Sequence, residues 1–286
     1  MVDKFKFAFF GTPDIASNTL DILFSNGYIP FIIITSPDAP AGRGMKMQES
    51  PVGIWAKNHN IQCLKPEKID QNFIDEFKKI ETDLSIVVAY GKILKEELIQ
   101  APKLGTINIH YSLLPKYRGA SPLESSLLNG DEKTGVSIQQ MVFKLDSGPL
   151  IAEEEIIIGI NETKDDLKNK LIVLGGNLLC EIIPKIINKS ITPKAQDESG
   201  VTYCTKINKE DGEIDLSDDS IKNYNKYRAF YGWPGVYFFV IKNGKKIRIK
   251  IKQAVYENNL FKIKRVIPEG KKEINYEDFL KQKINI

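Results

Sequence analysis

At 286 residues the chain has room for one large or two modest domains, and 42% hydrophobic with 27% charged residues is an ordinary balance for a globular protein. No apolar run approaches the ~18 residues that cross a bilayer, and the opening MVDKFKFAFFGTP lacks a small-residue cleavage pattern, so it reads as a first strand rather than a secretion signal. The net charge is only +3, but from Lys242 to Ile286 basic residues outnumber acidic ones thirteen to five, an excess that either attracts a polyanion or decorates a solvated surface.

In chain order, short apolar runs at 5–10, 31–35, 61–64, 84–90 and 107–110 predict buried strands. Between them, amphipathic patterns predict helices at 14–26, 51–59, 70–80 and 94–100. Strand and helix in alternation argue for an α/β fold with a Rossmann-like, doubly wound, mostly parallel sheet. Asp14 is expected to cap the first helix and Gly27 to end it. Gly11, after the first strand, reads as a tight-turn residue; without GxGxxG it does not announce a dinucleotide site. His59 reads as structural or exposed. Ser121-Pro122 opens a further helix that Gly130 closes, and Thr163-x-x-Asp166 is a capping box before a long helix. The stripe Leu167, Leu171, Leu174, Leu178, Ile182 and Ile186 on that helix is expected to be core.

After Ser190 the pattern changes. Residues 190–206 read as an extended linker between a domain at 1–189 and a small, mostly β domain at 207–286, with a helix near 217–231 and a hairpin turning at Asn243-Gly244. In KKIRIKIK the spacing puts Lys246, Arg248, Lys250 and Lys252 on one strand face and Ile247, Ile249 and Ile251 on the other. Such a basic face meets phosphates without reading sequence. The three cysteines, Cys63, Cys180 and Cys204, are odd in number, widely spaced and without metal spacing, which suggests a reducing cytoplasm and no cysteine chemistry.

The stretch INIHYSLLPKYRGASP holds the chemistry. Ligands of an open parallel sheet bind beyond the carboxyl ends of its strands. His110 ends a strand, Asn108 points to the same side, and Asp146 lies in the turn Leu145-Asp146-Ser147-Gly148. An amide, an imidazole and a carboxylate can bind an oxygen, stabilise charge on it and move protons. A core histidine hydrogen-bonded to Asp146 fits the same residues.

INIHYSLLPKYRGASP, followed by TGVSIQQM and LDSG, resembles the signature of formyltransferases that use 10-formyltetrahydrofolate. FFGTPDIAS, TSPDAPAGRGMKMQESPV and AYGKIL are similar to the branch of that family acting on methionyl-tRNA. The resemblance implies direct transfer of a formyl group from 10-formyltetrahydrofolate to the α-amine of initiator methionyl-tRNA, with Asn108 and His110 binding the formyl oxygen and Asp146 holding His110 and relaying protons. It implies that Ser112, Leu113, Leu114 and Pro115 line the folate site opposite Ala89, Tyr90 and Gly91 and that no metal is needed; a cytoplasmic location is expected from the cysteine pattern, and a monomer is expected although no sequence feature fixes the oligomeric state. The family has a small residue where this chain has Tyr111, and the ring either covers the folate turn or points away.

The loop at 35–51 is longer than the ~2–6 residues usual for a strand-to-helix connector. The resemblance implies that it wedges into the tRNA acceptor stem with Arg43 and Lys46 on the RNA. GWPGVYFF resembles the family's second domain, an OB-like β-barrel. Here the chain departs from the pattern between Tyr256 and Leu260, where a longer stretch is expected, so the barrel is expected to be shortened or open. The alternatives are a formyltransferase acting on an amino sugar nucleotide, a tRNA- or folate-binding protein without turnover, and a folate hydrolase.

Overall fold

The computed structural model describes residues 5–41, 44–242 and 244–284. Two compact units divide it. One comprises residues 1–118, 135–155 and 169–203; the other comprises 119–134, 156–168 and 204–286.

The first unit is built on β1 (Phe7–Gly11), α1 (Asp14–Ser25), β2 (Ile32–Ile34), the hairpin β3 (Ala39–Ala41) and β4 (Lys46–Gln48), α2 (Pro51–Asn58), β5 (Cys63–Leu64), α3 (Gln71–Lys78), β6 (Leu84–Val88), α4 (Glu96–Ile99) and β7 (Thr106–His110). After β8 (Arg118–Gly119) and α5 (Pro122–Leu128, which belongs to the second unit) come β9 (Lys133–Gln140), β10 (Leu150–Ile157) and α6 (Lys164–Ile187). The central sheet has the order β10-β9-β7-β6-β1-β2-β5. From β5 to β7 neighbours are parallel, and β7 meets β9 antiparallel. The chain moves outward from β1 through β2 to β5, then returns to the other side of β1 at β6. That reversal is the switch point where doubly wound sheets open a crevice.

Both faces of β1, β2 and β6 are buried and largely apolar, as a covered parallel sheet requires. Phe10, Ile34 and Val87 pack with Ile74, Phe77, Leu98 and Ile99 of α3 and α4. On the opposite face α6 approaches through Gly175 and Gly176. A Cβ on Gly175 would sit 3.3 Å from Ile109 Cγ2 and Val136 Cγ1, and one on Gly176 would sit 2.7 Å from Ile22 Cδ1. Of the expected stripe, Leu167, Leu171, Leu178 and Ile182 are buried, while Leu174 and Ile186 are half-buried.

Local signals mostly operate as read, with three differences. Asp14 is the first residue of α1 rather than its cap, and its Oδ1 accepts from the Ile15 amide at 2.8 Å. Ser121 is at the N-cap position of α5 but makes no capping bond. Gly11 lacks a left-handed φ; a Cβ there would meet Ala16 Cβ at 2.7 Å, so close packing of α1 on β1 requires it. Thr163 does pair with Asp166, whose Oδ2 accepts from its amide at 2.9 Å and from its hydroxyl at 2.6 Å. The loop at 35–51 contains the β3–β4 hairpin, which no alternation in the sequence announces.

The second unit contains β11 (Tyr203–Cys204, whose first residue belongs to the other unit), α7 (Ser220–Ala229), β12 (Tyr237–Lys242), β13 (Lys245–Glu257), β14 (Leu260–Pro268), β15 (Ile274–Asn275) and α8 (Tyr276–Ile284). Its antiparallel sheet runs β12-β13-β14-β15, with a single parallel bridge from Glu213 to Tyr237 at the β12 edge. No ladder joins β12 to β15 among the described residues. Of the expected turn Asn243-Gly244, Asn243 lies outside the described residues; Gly244 has φ +73. At the shortened position β13 turns into β14 through Asn258 and Asn259, both left-handed at φ +54 and +60. Asn tolerates that conformation, and two such residues make a hairpin that keeps the strand twist.

Candidate active site

Strand β7 alternates Ile107 and Ile109 with Asn108 and His110, so one face goes to α6 and the other carries polar groups. The antiparallel ladder sets Asn108 opposite Gln139 and His110 opposite Ser137. Four polar side chains therefore share one face at the carboxyl end of β7, beside the loop that follows β6.

His110 is 5% exposed. Its Nε2 lies 2.9 Å from the carbonyl oxygen of Tyr117. A carbonyl only accepts, so Nε2 bears a proton and Nδ1 is left for chemistry. Nδ1 faces Asp146 Oδ2 at 3.7 Å, too long for a direct hydrogen bond but close enough for charge to be felt. Burial depresses the His110 pKa below the usual histidine value; the Asp146 carboxylate and the Tyr117 carbonyl oppose that shift without reversing it. The ring is thus held as a neutral base with its acceptor nitrogen toward a carboxylate. Asn108 is half-buried, and its carboxamide makes no hydrogen bond among the described residues. It is a donor left free on the face that His110 shares.

Asp146 occupies a left-handed conformation, φ +45, which is uncommon for a residue other than glycine. Gln139 and Gln196 support it. Gln139 Nε2 donates to Asp146 Oδ1 at 3.0 Å while its Oε1 accepts from the Gly148 amide at 3.1 Å. Gln196 Nε2 donates to the Asp146 and Gly148 carbonyls at 2.9 and 2.7 Å. Sequence reasoning missed both glutamines. The register opposite Asn108 would have pointed to Gln139 had β9 been recognised as a strand. Nothing local marks Gln196, which lies in the stretch read as a linker.

The SLLP turn leaves β7 through residues that are largely committed to the fold. Ser112 and Leu114 are buried, while Leu113 and Pro115 are half-buried. Ser112 Oγ donates to the Lys116 carbonyl at 2.6 Å, and Ser137 Oγ accepts from the Leu114 amide at 2.9 Å. The Leu114-Pro115 peptide is cis. Because β6 and β7 are adjacent and parallel, the 89–91 turn emerges beside SLLP. Ala89 and Gly91 are exposed and left-handed, at φ +45 and +80. The Tyr90 ring is buried in the core, its pKa pushed up to about 12 by burial, and its carbonyl accepts from Thr12 Oγ1 at 3.1 Å. Tyr111 points away from this turn: its ring is buried and its hydroxyl lies 3.5 Å from Thr19 Oγ1 of α1. His59 is also structural, stacked on Trp55 at 3.9 Å. No cluster of His, Cys, Asp and Glu able to hold a metal ion occurs among the described residues.

This geometry can be set beside known proteins. The formyl transferase family model matches residues 5–183, and the model of the formyl transferase C-terminal domain matches residues 206–262. A methionyl-tRNA formyltransferase from Sulfurihydrogenibium sp. is 42% identical over 81% of this chain and 75% of its own length. One from Thermodesulfovibrio yellowstonii is 38% identical over 97% and 96%. The chain belongs to the methionyl-tRNA formyltransferase family. Among solved structures, an N-formyltransferase from Helicobacter canadensis, in complex with folinic acid and dTDP-3-aminofucose, superimposes with a TM-score of 0.65 at 22% identity, covering 89% of each chain. The sugar 3N-formyl transferase WlaRD does so at 0.65 and 24%, covering 94% of this chain and 99% of its own. At that identity the two share the fold.

The residues that the family resemblance assigns to tRNA fall in both units. Lys46 is exposed on β4, and Arg43 lies outside the described residues. On β13, Lys246 Nζ sits 3.9 Å over the Phe239 ring and Arg248 lies 5.5 Å from the centre of Tyr237. Burial, then the nearby Lys252 and Arg248, lowers the pKa of Lys250. Ile249 and Ile251 are buried behind them, as the alternation requires. Lys252 is exposed where the ladder with β14 shifts register around Gln253.

Proposed function

We infer that this chain transfers the formyl group of 10-formyltetrahydrofolate to the α-amine of initiator methionyl-tRNA. The observation that carries the reading is the free Asn108 carboxamide beside the Nδ1 of a buried, neutral His110 that faces Asp146.

The α-amine titrates near ~7.7–8, so part of it is neutral and nucleophilic at neutral pH. Its nitrogen attacks the formyl carbon, and the carbonyl electron pair moves to oxygen. The Asn108 N–H stabilises that oxyanion, whereas neutral His110, whose one N–H is donated to the Tyr117 carbonyl, has no hydrogen to offer the oxygen as the resemblance implies. His110 takes the surplus proton of the attacking nitrogen at Nδ1, where Asp146 stabilises the imidazolium, and the proton passes to the folate nitrogen as its bond to the formyl carbon breaks. Removing one oxyanion donor costs about 3 kcal/mol, on the order of a hundredfold in rate. Leu113, Pro115, Ala89 and Gly91 give the folate its exposed surface, while Ser112, Leu114 and Tyr90 shape the turns from within. Arg43 and Lys46 contact the acceptor end of the tRNA, and Lys246, Arg248, Lys250 and Lys252 contact its phosphates.

The test supplies 10-formyltetrahydrofolate with methionyl-tRNA, an amino sugar nucleotide or water as acceptor. Formylated methionyl-tRNA as the dominant product supports the reading. A formylated sugar, hydrolysis alone or no turnover overturns it in favour of the corresponding alternative.

A further inference from the structure

Arg118 is fully buried and makes no hydrogen bond to Asn108 or His110 among the described residues, yet it organises the turn that holds Asp146. Its Nε and Nη2 donate to Gln196 Oε1 at 3.0 and 2.7 Å, and Nη2 also donates to Glu198 Oε1 at 2.7 Å. Gln196 Nε2 spends its two protons on the Asp146 and Gly148 carbonyls. All four hydrogen-bonding positions of that carboxamide are therefore filled, and its orientation is unique: a guanidinium cannot accept and a carbonyl cannot donate. The opposite side of the turn is closed. A Cβ on Gly148 would lie 1.8 Å from the Gln140 carbonyl oxygen. Arg118 also follows Tyr117, whose carbonyl fixes His110 Nε2, and both amides of this pair are tied to Thr202, Tyr117 N to Oγ1 at 2.8 Å and Arg118 N to the carbonyl at 2.9 Å. One buried cation thus connects the backbone that orients the imidazole to the turn that carries the carboxylate.

We propose that Arg118 and Gln196 are positioning residues for formyl transfer, clamping the Asp146 turn at its working distance from His110 Nδ1, with Glu198 neutralising the guanidinium. The proposal rests on the function inferred above. The stretch 194–203 is then part of the catalytic apparatus.

The chain has only two histidines, so both imidazoles can be followed by NMR titration without any substrate. Among the described residues the charged group acting on His110 is Asp146 from the β9–β10 turn, while the Glu153 carboxylate of β10 is engaged by Ser137, the residue opposite His110 in the ladder. Gln196→Leu releases the turn and weakens the support that Asp146 gives the protonated ring. The His110 midpoint should move further down by a few tenths of a pH unit or more, with His59 unmoved as the internal reference. In turnover the same variant should lose about 10–100-fold in kcat, the scale of an ångström-level misplacement, with KM for both substrates within about twofold. Glu198 is 63% exposed, so Glu198→Gln leaves the fold intact. It should lower kcat several-fold in the native background and have no further effect in Asp146→Asn. An unmoved His110 midpoint, or an equal Glu198→Gln effect in both backgrounds, overturns the proposal. The titration does so even if formyl transfer itself is not observed.

Discussion

A single backbone carbonyl decides which nitrogen of His110 is available. The Tyr117 carbonyl accepts a hydrogen bond from Nε2–H, so the acceptor lone pair lies on Nδ1, the side of Asp146. Burial keeps the ring neutral by holding its pKa below the unfolded value of about 6.5. Between the two values the unfolded chain binds the extra proton, so this contribution to stability is complete above the unfolded value and is lost as pH falls through the folded one. Urea unfolding at pH 7.5 and pH 5 should show a larger loss for the native chain than for His110→Asn; equal losses would contradict a buried neutral imidazole. Asn108→Ala should reduce kcat on the order of a hundredfold with the unfolding midpoint nearly unchanged, because its carboxamide makes no bond that the fold needs. The proposed catalytic set was legible because an imidazole and an amide two residues apart on an apolar strand are a visible exception. Gln139, Gln196 and Arg118 were not. Glutamine and arginine in polar sequence look solvated, and only the packing of distant segments shows that all three are buried.

The elements position this set by close approach. Gly175 and Gly176 let α6 lie against Ile109, Val136 and Ile22, which seats the apolar face of β7 and turns Asn108 and His110 to the other. Gly176→Ala gains about 1 kcal/mol of helix propensity but forces a methyl to within 2.7–3.0 Å of Ile22. Overpacking of that kind costs about 1–3 kcal/mol, so the balance should be a net destabilisation of up to about 2 kcal/mol in denaturant titration. A more stable variant would mean that the helix has slack. The parallel strands, the capping box at Thr163 and the buried stripe of α6 could be read from the sequence, since each rests on local periodicity or local hydrogen bonding. The antiparallel β9 and the β3–β4 hairpin could not, because strand direction and a hairpin of exposed residues are set by long-range pairing. The shortened stretch after Tyr256 was visible as missing length, and the Asn258-Asn259 turn explains how two strands meet across it.

At the scale of the whole molecule, one chain must recognise a folate, an amine and an RNA. The proposed RNA contact of the basic β13 face would supply affinity rather than chemistry. Binding of tRNA should fall steeply and log-linearly with salt, and Lys246→Ala with Lys252→Ala should reduce that slope by about one unit per charge while leaving kcat unchanged. A slope unaffected by both substitutions would remove β13 from the RNA interface. The skew of basic residues after Lys242 made this surface legible, whereas the aromatic rings under Lys246 and Arg248 needed the β12–β13 register to be seen. The most direct measurement of the central claim is single-turnover formyl transfer from 10-formyltetrahydrofolate to methionyl-tRNA, with the native chain and His110→Ala compared at equal folded concentration. The account predicts N-formylmethionyl-tRNA from the native chain and almost none from the variant. Near-native transfer by His110→Ala would contradict it.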